Sequence, residues 1–176
     1  MAQSNLKIEY LQKYAVGENF IETGTYLGET VRLAKEFGFK FIHSIEIDKK
    51  LYELNSDNFK SDDSIKIWEG DSVFVLEEIL KDFKEQATFW LDAHASGPLA
   101  GNMYAPCPLE LELNKIFNNS ISHTILIDDC RLFGSAEWGF VRKENVISII
   151  KNANPNYNIY YLDGHTKEDI LCACIK

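Results

Sequence analysis

The segment that decides the fold is residues 19–37, with the sequence NFIETGTYLGETVRLAKEF. Its first five residues carry β-forming side chains and predict a strand, and residues 29–37 predict a helix. Gly24 and Gly28 lie in the turn between them, where glycine lets the backbone turn tightly and lets a ligand approach the start of the helix. The segment therefore predicts a nucleotide-binding turn. Its Gly24-x-x-x-Gly28 spacing differs from the G-x-G-x-x-G dinucleotide fingerprint, which disfavours a nicotinamide or flavin ligand.

The alternation of strand and helix continues along the chain. Strands are predicted over residues 19–23, 41–47, 65–68, 88–91, 124–127, 157–162 and 170–175, and helices over 29–37, 50–59, 73–83, 109–117 and 145–150. Such an alternation implies right-handed crossovers and a mostly parallel sheet covered on both faces. Only residues 163–169, which contain Asp163-Gly164, separate the last two strands. That connection is too short for a crossover helix, so these strands are predicted to form an antiparallel hairpin.

Length and composition predict one domain over residues 1–176. The chain has 176 residues, of which 45% are hydrophobic, and this is enough for a sizeable core. Leu6, Tyr10 and Tyr14 recur at four-residue spacing and predict that residues 1–17 form an N-terminal covering helix. The four cysteines match no CxxC or zinc-ligand spacing, so we expect free thiols. Cys172 and Cys174 would share one face of the last strand.

The net charge of -9 narrows the class of partner. Nucleic-acid binding depends on clustered Lys and Arg, so a long nucleic acid or an anionic membrane surface is not expected as a ligand. No stretch approaches the roughly 20 apolar residues that cross a bilayer, and no secretory signal pattern is present. We expect a cytoplasmic protein with a small-molecule or sugar substrate. The sequence leaves the oligomeric state open, a homo-oligomer included.

Acidic residues follow the next two predicted strands. Glu46 ends the second strand about 22 residues after Gly24, where Rossmann-like folds place a carboxylate on the ribose hydroxyls. Asp48 is the neighbouring alternative, although its position is better suited to capping the next helix. Asp71 and Ser72 follow the third strand within the sequence EGDS, and a helix cap is an equally good explanation for both.

This series of motifs resembles class I S-adenosylmethionine-dependent methyltransferases, whose motif I has the pattern acidic-x-Gly-x-x-x-Gly. The resemblance implies an α/β fold with a Rossmann-like, doubly wound sheet of seven strands, mostly parallel and ending in an antiparallel C-terminal hairpin. It also implies S-adenosylmethionine as the cofactor. Glu22 would help to hold the ammonium of its methionine part, the backbone around Gly24, Thr25 and Gly28 would line the pocket, and Asp71, beside Ser72, would approach the adenine amino group.

Further carboxylates follow the fourth and fifth strands, in the sequences Asp92-Ala93-His94 and Asp128-Asp129-Cys130. Ligands of open α/β sheets lie beyond these strand ends, and like charges there need a positive partner. The pattern resembles metal-dependent O-methyltransferases such as the catechol and macrolide-sugar enzymes. That resemblance implies that Asp92, Asp128 and Asp129 bind Mg²⁺, which prefers oxygen ligands. The alternative is that Asp128 and Asp129 cap backbone amides of a loop.

His94 is the histidine best placed for catalysis. It is predicted to act as a general base, as a further metal ligand or as a structural hydrogen-bond donor. The other three histidines, His43, His123 and His165, are expected to lie far from the cleft.

Two loops are predicted to flank the cleft. Residues 95–108 are too long for a simple connector and are predicted to cover the substrate. Residues 131–140 offer Arg131 and Trp138 to a substrate through charge pairing and stacking. The aromatic rings of Phe133 and Phe140 fit a substrate surface or a closing layer of the core equally well.

The motifs together predict transfer of a methyl group from S-adenosylmethionine to a hydroxyl. The stretch LDAHASG at 91–97, followed by CPL at 107–109, also resembles a bacterial branch of methyltransferases associated with glycan modification, which implies a carbohydrate acceptor. Two other functions stay open. A non-catalytic module that binds adenosyl ligands would need Glu22, Gly24, Glu46 and Asp71 only. A nicotinamide-dependent oxidoreductase would need a dinucleotide fingerprint, which the chain lacks.

Overall fold

The computed structural model describes residues 4–81, 83–92, 107–118, 120–136 and 138–175. Within these residues the strands are β1 (Asn19–Thr23), β2 (Phe41–Glu46), β3 (Ile65–Glu69), β4 (Ala87–Leu91), β5 (Thr124–Ile127), β6 (Asn158–Leu162) and β7 (Ile170–Cys174). The helices are α1 (Ile8–Tyr14), α2 (Glu29–Phe37), α3 (Lys49–Phe59), α4 (Ser72–Leu80), α5 (Leu109–Ile116) and α6 (Lys143–Ala153). The predicted alternation of strand and helix is confirmed.

All seven strands belong to one sheet with the order β3-β2-β1-β4-β5-β7-β6. Strands β1 to β5 pair in parallel, whereas β7 pairs antiparallel with both β5 and β6. The predicted Rossmann-like sheet with an antiparallel C-terminal hairpin is confirmed. The strand order reverses direction between β1 and β4, and a crevice at the carboxyl ends of such strands is where ligands of open α/β sheets bind.

The element boundaries differ from the predictions by a few residues. Strand β2 stops at Glu46, one residue before the predicted end, and the next residue, Ile47, is exposed. Tyr157 was predicted to begin β6 but lies before it, with its hydroxyl bonded to the backbone of His123 at 2.9 Å. Helix α6 extends beyond the predicted 145–150 at both ends.

Alternate residues of the strands fill two apolar layers, one on each face of the sheet. In β1, Phe20 packs with the layer under α1 and α2, and Ile21 packs with the layer under α4, α5 and α6. Cys172 and Cys174 are both buried in the layer under α1 and α2, as predicted from their spacing on a strand. Burial on both faces accounts for the mainly apolar sequences of the central strands β4, β5 and β7.

The segment before β1 runs along one face of the sheet from its carboxyl end to its amino end. At the amino end, Thr124 Oγ1 donates to the carbonyl of Tyr14 at 2.7 Å, and the backbone of Val16 is bonded to Thr88 Oγ1. At the carboxyl end, Asn5 Nδ2 donates to Asp128 Oδ1 at 2.7 Å. Helix α1 spans Ile8–Tyr14, shorter than the predicted 1–17, and residues 1–3 lie outside the described residues. The segment covers the core and reaches the ligand-binding edge.

None of the helices in the described part of the chain combines the length and the apolar character needed to cross a membrane.

Candidate functional site

The residues that follow four parallel strands are fixed by the neighbouring strand. Gly24 N–H donates to Ile45 O at 2.9 Å, and Asp92 N–H donates to Thr23 O at 3.0 Å. Asp128 N–H donates to Leu91 O at 3.1 Å, and Gly70 N–H donates to Glu46 O at 2.9 Å. Sheet bonding thus continues for one residue past each strand, and it holds the candidate site residues along one edge.

The turn between β1 and α2 requires glycine at residue 28. Gly28 has a φ of 72°, and a Cβ built there would lie 2.6 Å from Asn55 Oδ1 and 2.8 Å from the Phe59 ring. Asn55 Nδ2 in turn donates to the carbonyl of Tyr26 at 2.6 Å. The turn is therefore packed directly against α3, and a side chain at residue 28 would push the two apart.

Glu22 is buried at the end of β1 behind this turn. Ser44 Oγ donates to Glu22 Oε2 at 2.5 Å, and the Ser44 hydroxyl is paired with that of Thr25 at 2.6 Å. Burial, opposed by the Ser44 hydrogen bond and assisted by the carboxylates of Asp92 and Glu46, raises the pKa of Glu22 to about 8. A cationic group of a ligand would relieve the cost of ionising this carboxyl.

Glu46 folds back over the turn from the end of β2. Its two carboxylate oxygens accept the N–H of Tyr26 at 2.8 Å and the N–H of Asp48 at 2.9 Å. Burial raises its pKa. Asp48 accepts the N–H groups of Lys50 and Leu51, so the interpretation of this residue as the cap of α3 is confirmed. Glu46 therefore joins the turn after β1 to the end of β2.

Asp71 and Ser72 begin α4 after the third strand. Asp71 accepts the N–H of Val73 at 2.9 Å and is the cap of that helix. The Asp71 side chain is exposed, whereas Ser72 is buried against Glu112 of α5. The capping alternative is thus correct for Asp71, and the position beside the crevice still allows its second oxygen to contact a ligand.

Asp92, Asp128 and Asp129 lie close together after β4 and β5. Burial, followed by the neighbouring carboxylates of Asp92 and Asp129, raises the pKa of Asp128 to about 8. Asp128 Oδ1 accepts the N–H of Asp129 at 2.8 Å, so Asp128 does cap a backbone amide of the loop, and its role as a metal ligand stays a prediction. Asp129 has a φ of 55°, a left-handed conformation that aspartate tolerates better than most residues.

A guanidinium supplies the positive charge beside this cluster. Arg131 Nη1 contacts the carboxylates of both Asp129 and Asp169, the latter at 2.5 Å. The Arg131 N–H also donates to Asp169 Oδ1 at 3.3 Å. Asp128, Asp129 and Asp169 each offer an oxygen within 4.8 Å of the others, and Asp92 is not in that group. Arg131, predicted to contact a substrate, is therefore held by two carboxylates of the protein.

Asp169 and Asn5 are the members of this cluster that sequence reasoning missed. The direction of β7 contained a signal for Asp169: because β7 runs antiparallel to β5, its first residues lie at the carboxyl end of β5. The turn over 163–169, which carries His165, thus reaches the site through Asp169. The prediction that His165 itself lies far from the cleft stays a prediction.

Glu112 is a further residue that the sequence did not single out. It is only 1% exposed, and it lines a narrow cleft together with Leu91, Asp92, Cys107, Leu109 and Trp138. Glu112 therefore brings a carboxyl to the crevice from α5, an element that sequence analysis treated only as a covering helix.

The flanking loops are described in part. His94 and residues 95–106 lie outside the described residues. Trp138 is buried and packs edge-on against Phe133, with ring centroids 5.1 Å apart. Phe140 is 67% exposed, so the interpretation of this ring as part of the core is wrong, whereas Phe133 does pack against the core. Trp138 reaches the crevice only as a wall of the cleft that contains Glu112.

Comparison with known proteins gives the fold. No protein-family model matches the chain, and no curated protein matches it in sequence. An O-methyltransferase from Bacillus cereus in complex with SAH superimposes with a TM-score of 0.65 at 14% identity, over 96% of this chain and 78% of that one. A candidate rRNA-methylase from Clostridium thermocellum gives a TM-score of 0.68 at 10% identity, over 99% and 98%. Spermidine synthase from Thermotoga maritima gives 0.59 at 12% identity, over 95% and 56%.

These structures include enzymes of more than one kind, so their likeness is evidence about architecture, and function has to be argued from the site. The chain has the Rossmann-like fold of S-adenosylmethionine-dependent methyltransferases.

Proposed function

We propose that the protein is an S-adenosylmethionine-dependent O-methyltransferase that acts on a hydroxyl of a small molecule or carbohydrate, with a divalent cation at the acceptor side. The observation that carries the proposal is the meeting of acidic residues from four adjacent strands at one edge of the sheet. Glu46 ends β2, Glu22 is the last residue but one of β1, and Asp92 and Asp128 directly follow β4 and β5. The strands lie in the order β2, β1, β4, β5 across the sheet. This order matches the order of ribose, methionine and acceptor in the proposed complex.

Glu22 and Glu46 would hold the cofactor. The buried Glu22 carboxyl lacks a cation among the groups that chiefly perturb it, and the ammonium of the methionine part would supply one. Glu46 already accepts two backbone N–H groups, and each of its oxygens retains a lone pair for a ribose hydroxyl. The backbone of Gly24, Thr25 and Gly28 would line the cofactor pocket between these two carboxylates.

The carboxylates after β4 and β5 fit a hard divalent cation. Asp92, Asp128, Asp129 and Asp169 offer only oxygen donors, and the single positive charge of Arg131 does not balance them all when they are ionised. Asp92, Asp128 and Asp129 would hold the cation, with Asp129 shared with Arg131. When bound, such a cation lowers the pKa of a coordinated hydroxyl and fixes its position.

The remaining steps belong to the protein's own groups. His94, two residues after Asp92, would take the proton of the acceptor hydroxyl, and Arg131 and Trp138 would border the acceptor. The enzyme's main task would be to align the hydroxyl oxygen with the sulfonium methyl and to exclude water. The resemblance of residues 91–97 and 107–109 to glycan-associated methyltransferases supports a sugar acceptor.

Thermal unfolding with added ligands tests the cofactor. S-adenosylmethionine and S-adenosylhomocysteine should raise the melting temperature, because a ligand that binds only the native state stabilises it by mass action. NAD is the comparison ligand, and a rise with NAD but with neither adenosyl compound would refute the proposal.

Methyl transfer tests the acceptor and the cation. Formation of S-adenosylhomocysteine should be measured with free sugars and with catechols, each with Mg²⁺ and with EDTA. Asp128→Asn should lose turnover and its dependence on Mg²⁺. Asp57→Asn is the matched control, because the Asp57 side chain is 79% exposed on α3. Equal, Mg²⁺-dependent turnover in Asp128→Asn and the native protein would exclude the metal role.

A further inference from the structure

Asn5 brings an amide from the N-terminal segment into the acidic cluster at the carboxyl edge of the sheet. Its side chain is only 4% exposed. Asn5 Nδ2 donates to Asp128 Oδ1 at 2.7 Å and to Asp169 Oδ2 at 3.5 Å. Asp128 follows β5 and Asp169 precedes β7, so one side chain joins the N-terminal segment to the ends of both strands.

The amide of Asn5 is buried at a cost to stability. Asn5 Oδ1 is buried and has no hydrogen-bond partner within the described part of the chain. A buried acceptor without a partner destabilises the fold, and an apolar residue would avoid that cost. The presence of asparagine at this position therefore points to what its Nδ2 group does for the two carboxylates.

The two oxygens of the Asp128 carboxylate have different surroundings. Oδ1 accepts the Nδ2 group of Asn5 at 2.7 Å and the N–H of Asp129 at 2.8 Å. Oδ2 accepts no hydrogen bond from the residues that the structure describes. Rotation of the carboxylate would break both bonds to Oδ1, because hydrogen bonds weaken steeply when their geometry is lost. Asn5 thus helps to determine which oxygen of Asp128 remains for a ligand.

The turn between β6 and β7 packs against the same amide. A Cβ built at Gly164 would lie 2.9 Å from Asn5 Cγ, 3.1 Å from Asn5 Nδ2 and 3.0 Å from Asp169 Cβ. Gly164 is not among the glycines with positive φ, so close contact rather than backbone conformation accounts for glycine here. The position of the Asn5 amide therefore depends on this turn as well as on the N-terminal segment.

We propose that Asn5 is a positioning residue for Asp128, which binds Oδ1 and thereby leaves Oδ2 for the divalent cation on the acceptor side. This inference rests on the proposed cation. Asn5 acts through Asp128, because an amide N–H group donates hydrogen bonds and does not bind cations. Groups that orient a metal ligand in this way typically change metal affinity roughly tenfold to a hundredfold.

Calorimetric titration of Mn²⁺ into the protein saturated with S-adenosylhomocysteine tests the role of Asn5. Mn²⁺ suits the same oxygen ligands as Mg²⁺. Asn5→Leu keeps the approximate size of the side chain and removes the donor, and it should bind Mn²⁺ roughly tenfold to a hundredfold more weakly than the native protein. Gly164→Ala should weaken binding in the same direction, because its methyl group would displace the Asn5 amide.

Two matched controls carry comparable substitutions at exposed positions. Asn152→Leu lies on α6, and Thr166→Ala lies in the same turn as Gly164. Both should bind Mn²⁺ as the native protein does. Gly164→Ala also keeps the test decisive if Asn5→Leu does not fold, which its melting temperature would show.

Affinity for S-adenosylhomocysteine separates positioning from a general structural role. It should be unchanged in Asn5→Leu and Gly164→Ala, since Glu22 and Glu46 are retained. Unchanged Mn²⁺ affinity in either folded variant, or equal loss of affinity for Mn²⁺ and S-adenosylhomocysteine, would overturn the role of Asn5 and leave the proposed function intact. Failure of the native protein to bind Mn²⁺ would overturn the proposed cation, and the inference with it.

Discussion

Replacing Glu22 with glutamine should make the ligand-free protein more stable and its cofactor binding weaker. Glu22 is 1% exposed and accepts a 2.5 Å hydrogen bond from Ser44, a contact that the amide oxygen of glutamine can keep. What the substitution removes is a carboxyl that is costly to ionise in this environment. Stability and binding should therefore change in opposite directions at this one residue.

The magnitude follows from the pKa of Glu22 in the folded and unfolded chain. Folding raises this pKa from 4.5 to about 8. A raised folded pKa gives stability that is fully present below pH 4.5 and is lost as the pH rises through 8. At pH 7 the loss is at most about 3 kcal/mol, since one pKa unit corresponds to ~1.4 kcal/mol. For a chain of this size, that is roughly 6–12 °C in melting temperature.

Urea unfolding and thermal unfolding from pH 4.5 to pH 8 measure this effect. Glu22→Gln and the native protein should have similar stability at the acidic end, and the variant should gain steadily as the pH rises. Glu36→Gln, an exposed residue of α2, is the matched control and should follow the native curve. In calorimetry at pH 7, Glu22→Gln should bind S-adenosylhomocysteine roughly tenfold more weakly, because a charged hydrogen bond to the ammonium is lost. Parallel pH curves for Glu22→Gln and the native protein would show that the buried carboxyl has no such cost, and unchanged affinity would remove Glu22 from the cofactor site.

Three further substitutions test the packing around the site. Asp169→Asn should lower the free energy of unfolding in urea by about 2 kcal/mol by weakening the contact with the guanidinium, and the exposed neighbour change Glu168→Gln should have little effect. His123→Asn should make the free energy of unfolding in urea fall less steeply as the pH is lowered. Burial lowers the pKa of His123 from 6.5 to about 4, so the neutral imidazole contributes stability that is fully present above pH 6.5 and is lost as the pH falls through 4. Gly28→Ala should lower the free energy of unfolding in urea by roughly 2 kcal/mol more than Gly38→Ala does, because both glycines have positive φ but, of the two, only Gly28 has atoms within 4 Å of a new Cβ. Equal losses would mean that backbone strain alone matters.

The sequence predicted the parts of this molecule that local patterns determine. The end of a strand is marked in the sequence by the point where an apolar run stops. The carboxyl ends of parallel strands meet at one edge of the sheet, so the sequence alone predicted that Glu46, Asp92 and Asp128 lie at the same edge. The cap formed by Asp48 was likewise visible, because helix caps depend on the next few residues.

Contacts between distant segments were not predictable in this way. Asn5 reaches Asp128 over 123 residues, and its position depends on the path of the N-terminal segment along the sheet. Glu112 lies on the buried face of α5, whose other residues are apolar. Its contact with Ser72 depends on how α5 packs against the start of α4, which the sequence of α5 does not show. Periodicity predicts which face of a helix is buried, but it does not identify the neighbour across that face.

The acidic character of the site is also the physical reason to expect a cationic ligand. Burial raises the pKa of Glu22 and Asp128 to about 8 and of Glu112 to about 7, and in each case other carboxylates of the cluster raise it further. These carboxyls are costly to ionise near neutral pH, and a ligand that brings an ammonium and a sulfonium would lower that cost as it binds. Arg131 meets part of this demand from within the chain, beside Asp129 and Asp169. Glu22 has Asp92 and Glu46 as its charged neighbours instead. Because of this difference between the two halves of the cluster, we expect the cation-bearing part of the proposed ligand to lie over β1 and β4.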